Sequence, residues 1–260
     1  MNTVLLHRDG AVARIVLNRP ESGNAIDRAL ADRLAEVAAD VAADPAIRCV
    51  VLTGGGRLFC AGGDVTAMAA AGDAASTFLH ALADTLHRAI LTLATMPKPL
   101  IVAVNGPAAG AGLSLALLGD VVIAARSAHF TAAYTAIGLT PDGGMSWLLP
   151  RIVGLRRAQA IILTNQRVSA EEAERLDMVT CVADDSDLGT VVAGFAARLV
   201  AAPTAAIGAA RALILSGATT PFSDHLDHEA ATIAAAGDQA EAREGIAALL
   251  ARRKPSFEGA

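Results

Sequence analysis

From Pro99 to Gly119 the chain carries no charged side chain. On length alone such a run reaches across a bilayer, but Asn105, Gly106, Pro107, Gly110 and Gly112 interrupt it. Backbone freed by such breaks has no partner in lipid. The pattern therefore reads as a buried strand (Leu100–Val104), a tight turn and a buried helix (Ala108–Leu118). Elements that are apolar on every side need neighbours on every side, so this run demands a large core. The composition supplies one. Of 260 residues, 53% are hydrophobic and 18% charged, which excludes a disordered or low-complexity protein.

The same beat recurs along the chain. Val4-Leu5-Leu6 and Val12–Leu17 flank Asp9-Gly10, a hairpin signal, and Pro20 ends the second strand. From Asp27, apolar residues at Leu30, Leu34, Val37 and Val41 keep helical spacing until Asp44-Pro45. Cys49–Leu52 is an apolar strand that runs into Thr53-Gly54-Gly55-Gly56, and helical patterning covers Val65 to Thr95. Val121–Ala124 and His129–Thr131 read as short strands, Thr140–Gly144 as a turn opening a helix, and Ser169–Glu172 as a capping box. Strands alternating with helices predict an α/β core. From Ser186 the chain is alanine-rich and helical, with Pro203 and Pro221 at helix starts. We divide it into an α/β core, residues 1–195, and a helical region, 196–260.

A net charge of −5 leaves no electrostatic footprint for nucleic acid. Cys49, Cys60 and Cys181 are odd in number and lack metal-ligand spacing, which suits a reducing cytoplasm. The start, Met1–Asp9, reads as a strand rather than a signal peptide, so a cytoplasmic protein without membrane attachment is expected. His80 and His87 lie seven apart, and His225 and His228 three apart. Two histidines without a third ligand predict no metal site.

Two glycine-rich loops follow buried strands. Thr53–Arg57 lacks the Gly-Lys-Ser/Thr ending of a phosphate loop, and Gly106–Gly112 has Leu115 where a dinucleotide fingerprint needs its third glycine. Gly112-Leu113-Ser114-Leu115-Ala116 resembles a nucleophile elbow but ends in alanine, so Ser114 reads as a small residue on a buried helix. What the two loops share is unencumbered backbone N–H groups. Two such groups converging on one point make an oxyanion hole, helped where one sits at a helix N-terminus.

Five segments together carry a resemblance: Asn18–Glu21 with Asn24-Ala25-Ile26, Phe59–Val65, Val104–Gly112, Gly138–Gly144 and Arg253–Phe257. In order and over essentially the whole chain, they resemble the enoyl-CoA hydratase/isomerase (crotonase) family. Gly138-Leu139-Thr140-Pro141-Asp142, followed by Trp147–Arg151, is most similar to its 1,2-epoxyphenylacetyl-CoA isomerase-like branch. The resemblance implies a crotonase-like spiral of ββα turns, with a C-terminal helical region that assembles a homotrimer or a dimer of trimers. It implies an acyl-CoA thioester as substrate and no separate cofactor, coenzyme A entering as part of that substrate. The thioester oxygen would be held by the N–H groups of Gly63 and Ala111. Ala61, Gly63, Asp64, Val65 and Thr66 would line the CoA pocket, with Lys254 and Phe257 near the adenine end.

The resemblance also places the family's two hydratase glutamates on Ser114 and Tyr134. A serine is no base at neutral pH, and a phenol with a reference pKa of about 10 is a poor one. Efficient hydration is therefore not expected. Asp142 occupies the position that supplies an acid, base or nucleophile in some branches; capping a helix that begins at Gly143 is the competing role. Asp64 is expected to stabilise its own loop, and Arg19 and Arg57 to be solvated or to meet CoA phosphates. The leading expectation is an enoyl-CoA or ring isomerase using Asp142. The alternatives are a hydratase of low efficiency pressing Tyr134 or Asp142 into service, and a non-catalytic acyl-CoA-binding member. Dehalogenation ranks lower, since the aromatic supply of Phe59, Phe130, Tyr134 and Trp147 is thin.

Overall fold

The computed structural model describes residues 2–257. In chain order its elements are β1 (Val4–Asp9), β2 (Val12–Leu17), α1 (Arg28–Ala43), β3 (Cys49–Gly54), α2 (Val65–Ala70) and α3 (Ala75–Thr95). Next come β4 (Leu100–Val104), β5 (Ala108–Ala109), α4 (Ala111–Ala116), β6 (Val121–Ala125), β7 (His129–Thr131), α5 (Met145–Val153) and α6 (Leu155–Thr164). The rest are β8 (Val168–Ser169), α7 (Ala170–Arg175), β9 (Cys181–Ala183), α8 (Leu188–Val200), α9 (Thr204–Gly217), α10 (Phe222–Gly237) and α11 (Ala240–Leu250).

Six strands form the main sheet in the order β1-β2-β3-β4-β6-β9. Only the β1–β2 hairpin is antiparallel, with Val4 opposite Leu17; the later strands run parallel. Parallel strands are covered on both faces, which is why they read as unbroken apolar runs. Alternate residues separate the two faces. Val50, Leu52, Val102, Val104 and Ala124 join α1 and α3 in the larger core. Cys49, Val51, Ile101, Ala103 and Ile123 face the opposite way, under Leu188, Val192 and Ala196 of α8. A second sheet, β5-β7-β8, lies beyond the C-terminal ends of β3 and β4.

The uncharged run resolves into β4, β5 and α4, and no single helix among the described residues is long and apolar enough to cross a membrane. The helical stretch Val65–Thr95 is broken between α2 and α3, and a second boundary also differs from expectation. Ala108 and Ala109 belong to a strand, not to the helix read over Ala108–Leu118, because they pair with Phe130 and Thr131 and Ala109 N–H donates to Cys60 O. Gly110 then turns at φ +52 and α4 starts at Ala111.

Residue 195 lies inside α8, which packs on the sheet, and the chain first breaks from it at the turn after Val200. Beyond that turn, polar anchors fix the helices. Glu241 accepts the N–H groups of Ala205 and Ala206, capping α9 from α11. Arg211 of α9 reaches Asp120 and the Leu93 carbonyl. Ile214, Phe222, Leu226, Ile233, Ile246, Leu249 and Leu250 are exposed on α9–α11.

Candidate active site

The site lies where the glycine loops leave the C-terminal ends of β3 and β4. Loop backbone here is partly buried, and polar groups shut off from water must find partners. Two asparagines supply them. Asn24, fully buried with φ +55, donates from Nδ2 to the carbonyls of Gly55, Leu58 and Phe59, and its Oδ1 accepts from Arg19 N–H. Asn105 accepts from Gly54 N–H and donates to Gly56 O.

Two glycines then let the loops touch. A Cβ on Gly112 would stand 2.2 Å from Cys60 O, and a Cβ on Gly62, at φ +99, would stand 2.9 Å from Ala109 O and 3.5 Å from Ala111 N. Backbone therefore meets backbone, and the residues after each loop are brought side by side.

Gly63 forms an isolated parallel bridge with Ile26. Ile26 N–H donates to Gly62 O and Asp64 N–H to Ile26 O, so the ladder uses the groups on either side of Gly63 and leaves its own N–H. Ala111 is the first residue of α4, where an N–H has no acceptor within the helix. Among the described residues neither N–H has a protein acceptor. Both residues line one cavity of about 400 Å³. Its walls are largely aliphatic, from Ile26, Val65, Met68, Leu79, Leu82, Leu86, Ile137 and Leu139, with Tyr134, the carboxylate of Asp142 and the imidazole of His80, which pairs with Asp84 at 3.1 Å.

Asp142 does not cap the following helix. That helix starts at Met145 with Gly144 at its N-cap position and no side-chain cap. The carboxylate turns instead to α3, where His87 Nε2 lies 2.7 Å from Asp142 Oδ1. With the aspartate ionised, the imidazole N–H is the donor of this bond. The partnership spans 55 residues and no sequence pattern marked it. One signal existed: His80 and His87 stand seven apart on one face of α3, and His80 lines the cavity.

Ser114 and Tyr134 sit together beneath this aspartate. Ser114 Oγ donates to the main-chain carbonyl of Asp142 at 2.7 Å, and Tyr134 Oη donates to the same oxygen at 3.1 Å. Burial pushes the Tyr134 phenol up to about 12, with the negative charge of Asp142 adding to the shift. The residue before it, Ala133, has φ +63, unusual for a residue with a side chain, and also lines the cavity.

The other expected site residues divide. Ala61 and Val65 line the cavity; Asp64 and Thr66 do not. Asp64 caps α2 through Ala67 N–H and pairs with Arg19 at 3.0 Å. Arg19 is thereby occupied, since it also pairs with Asp27 and the Ala25 carbonyl. Lys254 and Phe257 are absent from the cavity wall. Arg48, just before the N-terminal end of β3, donates to Phe257 O, which puts this tail at the opposite end of the parallel strands from the site. Phe59 and Phe130 are core residues with no side chain in the cavity.

Residues 7–260 match the family model described as enoyl-CoA hydratase/isomerase. The 1,2-epoxyphenylacetyl-CoA isomerase of Escherichia coli K12 is 40% identical over 260 residues, covering 100% of this chain and 99% of its own. A probable enoyl-CoA hydratase of Rhodobacter capsulatus is 40% identical over 258 residues, covering 99% and 98%. Among solved structures, an enoyl-CoA hydratase/isomerase from Mycobacterium abscessus superposes with a TM-score of 0.92 at 34% identity, covering 98% of each chain. The sheet, the two glycine loops and the C-terminal helices are those of the crotonase fold, and the chain belongs to the enoyl-CoA hydratase/isomerase family.

Proposed function

We propose that this enzyme shifts a double bond, or rearranges a ring, next to the thioester of an acyl-CoA, with Asp142 as the single shuttling base. The observation that carries this reading is the Asp142 carboxylate in the same cavity as Gly63 and Ala111, with His87 on one of its oxygens. The second carboxylate oxygen is left for the substrate.

A 3-enoyl-CoA is isomerised by two proton transfers. Asp142 takes a proton from C2, and the C–H electron pair delocalises over C2–C4 and the thioester oxygen. Asp142 then returns the proton to C4, leaving the double bond between C2 and C3. The charge on the thioester oxygen in the dienolate falls to the N–H groups of Gly63 and Ala111. Donors held ready at such an oxygen are each worth about 3–4 kcal/mol in the transition state. The same apparatus serves a strained ring next to the thioester, and the similarity to the Escherichia coli isomerase supports that form.

Addition of water is disfavoured by the groups beside the carboxylate. Hydration needs two groups in addition to the oxyanion donors, a base for water and an acid for the α-carbon, and Asp142 supplies only one of them. Ser114 and Tyr134 are engaged as donors to Asp142 O, and a phenol at about 12 takes no proton from water near neutrality. We further infer that α9–α11 carry subunit contacts of a trimer, because their exposed apolar side chains include Phe222 and Leu250 at 77% and 80% exposure.

The test supplies a 3-enoyl-CoA and a 2-enoyl-CoA separately, with products resolved by chromatography and mass. Conversion of the 3-enoyl to the 2-enoyl ester without gain of water is expected. Asp142→Asn should lower kcat by about 100- to 10,000-fold while the ester still binds. Rapid hydration of the 2-enoyl ester would overturn the reading. Tight binding without turnover of any enoyl or ring ester would make the chain a binding protein.

A further inference from the structure

We propose that Ser114 and Tyr134 are positioning residues for Asp142: two hydroxyls that clamp its main-chain carbonyl and thereby hold its carboxylate in register with the oxyanion donors. The proposal rests on the reading of Asp142 as the base, and it gives a task to the two positions where the family's hydratases carry glutamates.

The loop that bears Asp142 does little to hold itself. Among the described residues, no N–H from Thr140 to Gly144 donates to a protein acceptor, and the Met145 N–H reaches Asp142 O only at 3.4 Å. Gly143 and Gly144 follow at φ +64 and +85, a backbone with few steric barriers of its own. What fixes the loop comes from outside it. Ser114 Oγ lies 2.7 Å and Tyr134 Oη 3.1 Å from the Asp142 carbonyl oxygen. The Tyr134 hydroxyl also lies 3.3 Å from Ser114 Oγ, so its proton ends on the clamp in either orientation.

The loop rests directly on Ser114 as well. A Cβ at Gly143 would come within 2.9 Å of Ser114 Cβ, so a larger side chain at position 114 would lift the loop. Burial keeps the Tyr134 hydroxyl protonated and thus a permanent donor.

The placement of Ser114 gives the clamp its function. It stands on α4 three residues after Ala111, one turn along the same helix face. One rigid helical turn therefore carries both an oxyanion donor and the peg for the base loop. The distance from base to thioester oxygen is fixed by that turn rather than by the glycine-rich loop. Positioning of this kind bears on rate more than on affinity, because a misplaced base still permits the ester to bind.

The test compares Ser114→Ala, Tyr134→Phe, the double variant and Asp142→Asn in the intact protein, using a 3-enoyl-CoA as probe. Each single variant should lower kcat about 3- to 10-fold and the double variant about 100-fold. KM should stay within about twofold for Ser114→Ala, whose side chain is absent from the cavity wall. Amide hydrogen exchange, read by mass spectrometry without substrate, should speed up over residues 145–148 in the double variant, where the amides of Met145, Trp147 and Leu148 bond back to Asp142 O and Gly144 O. It should not change in Asp142→Asn, which keeps the carbonyl. With Asp142→Asn inactive, wild-type kcat and unchanged exchange in the double variant would overturn the clamp and leave the base reading standing. Full turnover by Asp142→Asn would overturn the base reading and the clamp's catalytic purpose with it. A fall in kcat matched by an equal rise in KM would mark Ser114 and Tyr134 as binding-wall residues and also overturn the proposal.

Discussion

The loops that carry Gly63 and Ala111 and the loop that carries Asp142 face one cavity, yet they are held by opposite means. The first pair is main chain locked to main chain: bridges join Ile26 to Gly63 and Cys60 to Ala108, and Gly112 lets α4 lie against Cys60 O. Asn24 and Asn105 satisfy what those bridges leave over. The Asp142 loop has no such lattice and hangs on the side chains of His87, Ser114 and Tyr134. Family chemistry that changes while its electrophile stays the same fits this division. Donors woven into the backbone survive substitution of side chains, whereas a base held by three side chains can be moved, replaced or lost.

The contrast breaks most severely at Gly112. Gly112→Ala would drive a methyl to 2.2 Å from a backbone carbonyl that has nowhere to retreat. We expect a loss of about 3 kcal/mol in urea unfolding together with activity. The matched change in the other loop, Gly144→Ala, strains a residue at φ +85 with only the Leu148 side chain nearby, at 3.7 Å, and should cost about 1 kcal/mol. Equal losses at the two glycines would erase the distinction. One step down in size, Asn24→Ala strands the buried Phe59 carbonyl and takes a donor from those of Gly55 and Leu58; with about 1–3 kcal/mol for an unsatisfied buried group, stability and turnover should fall together.

His87→Gln sharpens the comparison from the other side. His87 is half-exposed, and its bond to Asp142 is one of the few constraints on that carboxylate. A hydrogen bond to a charged group is worth about 1.5–3 kcal/mol. We expect kcat to fall about 10- to 100-fold, with the urea midpoint within error of the parent. A drop in stability without a drop in kcat would make His87 a surface strut and remove it from the site.

What could be read from the sequence follows the same division. Apolar runs such as Leu100–Val104 announced the buried strands, and Gly-rich stretches after them announced exposed N–H groups, because backbone-built features leave contiguous signatures. Ala108-Ala109 was misread as helix, since two alanines carry no strand signal and their pairing with β7 is tertiary. The capping role read for Asp142 turns on where α5 begins, and with Gly144 at the N-cap position the aspartate caps nothing there. His87 was noted only as lying seven residues from His80, and its pairing with Asp142 was illegible because the partner lies 55 residues away. Lys254 and Phe257 were carried over with a motif; the Phe257 carbonyl is held by Arg48, which also bonds Val200 O at the end of α8, an arrangement no local pattern encodes.

The smallest effect expected separates the two regions by pH. Burial pushes the Cys60 thiol, beneath the Gly63 loop, up to about 12, and burial does the same to the Tyr134 phenol in the clamp. In the unfolded chain these groups ionise from 9.0 and 10.0 respectively. Above those values the unfolded state releases protons that the folded state keeps, so stability falls as pH rises and is untouched by these groups below about pH 9. Cys49, buried on the far face of the sheet and also pushed up to about 12, adds to the same limb. Each group steepens the fall by at most about 1.4 kcal/mol per pH unit. The urea midpoint should therefore hold from pH 7 to 8.5 and drop by pH 10. Cys60→Ala should flatten the limb from pH 9 upward, and Tyr134→Phe only from pH 10. The thiol under the oxyanion loops thus reports about one unit earlier than the phenol under the base. A limb unchanged by Cys60→Ala would mean that water reaches that thiol and that the loops around Gly63 are looser than their bridges require.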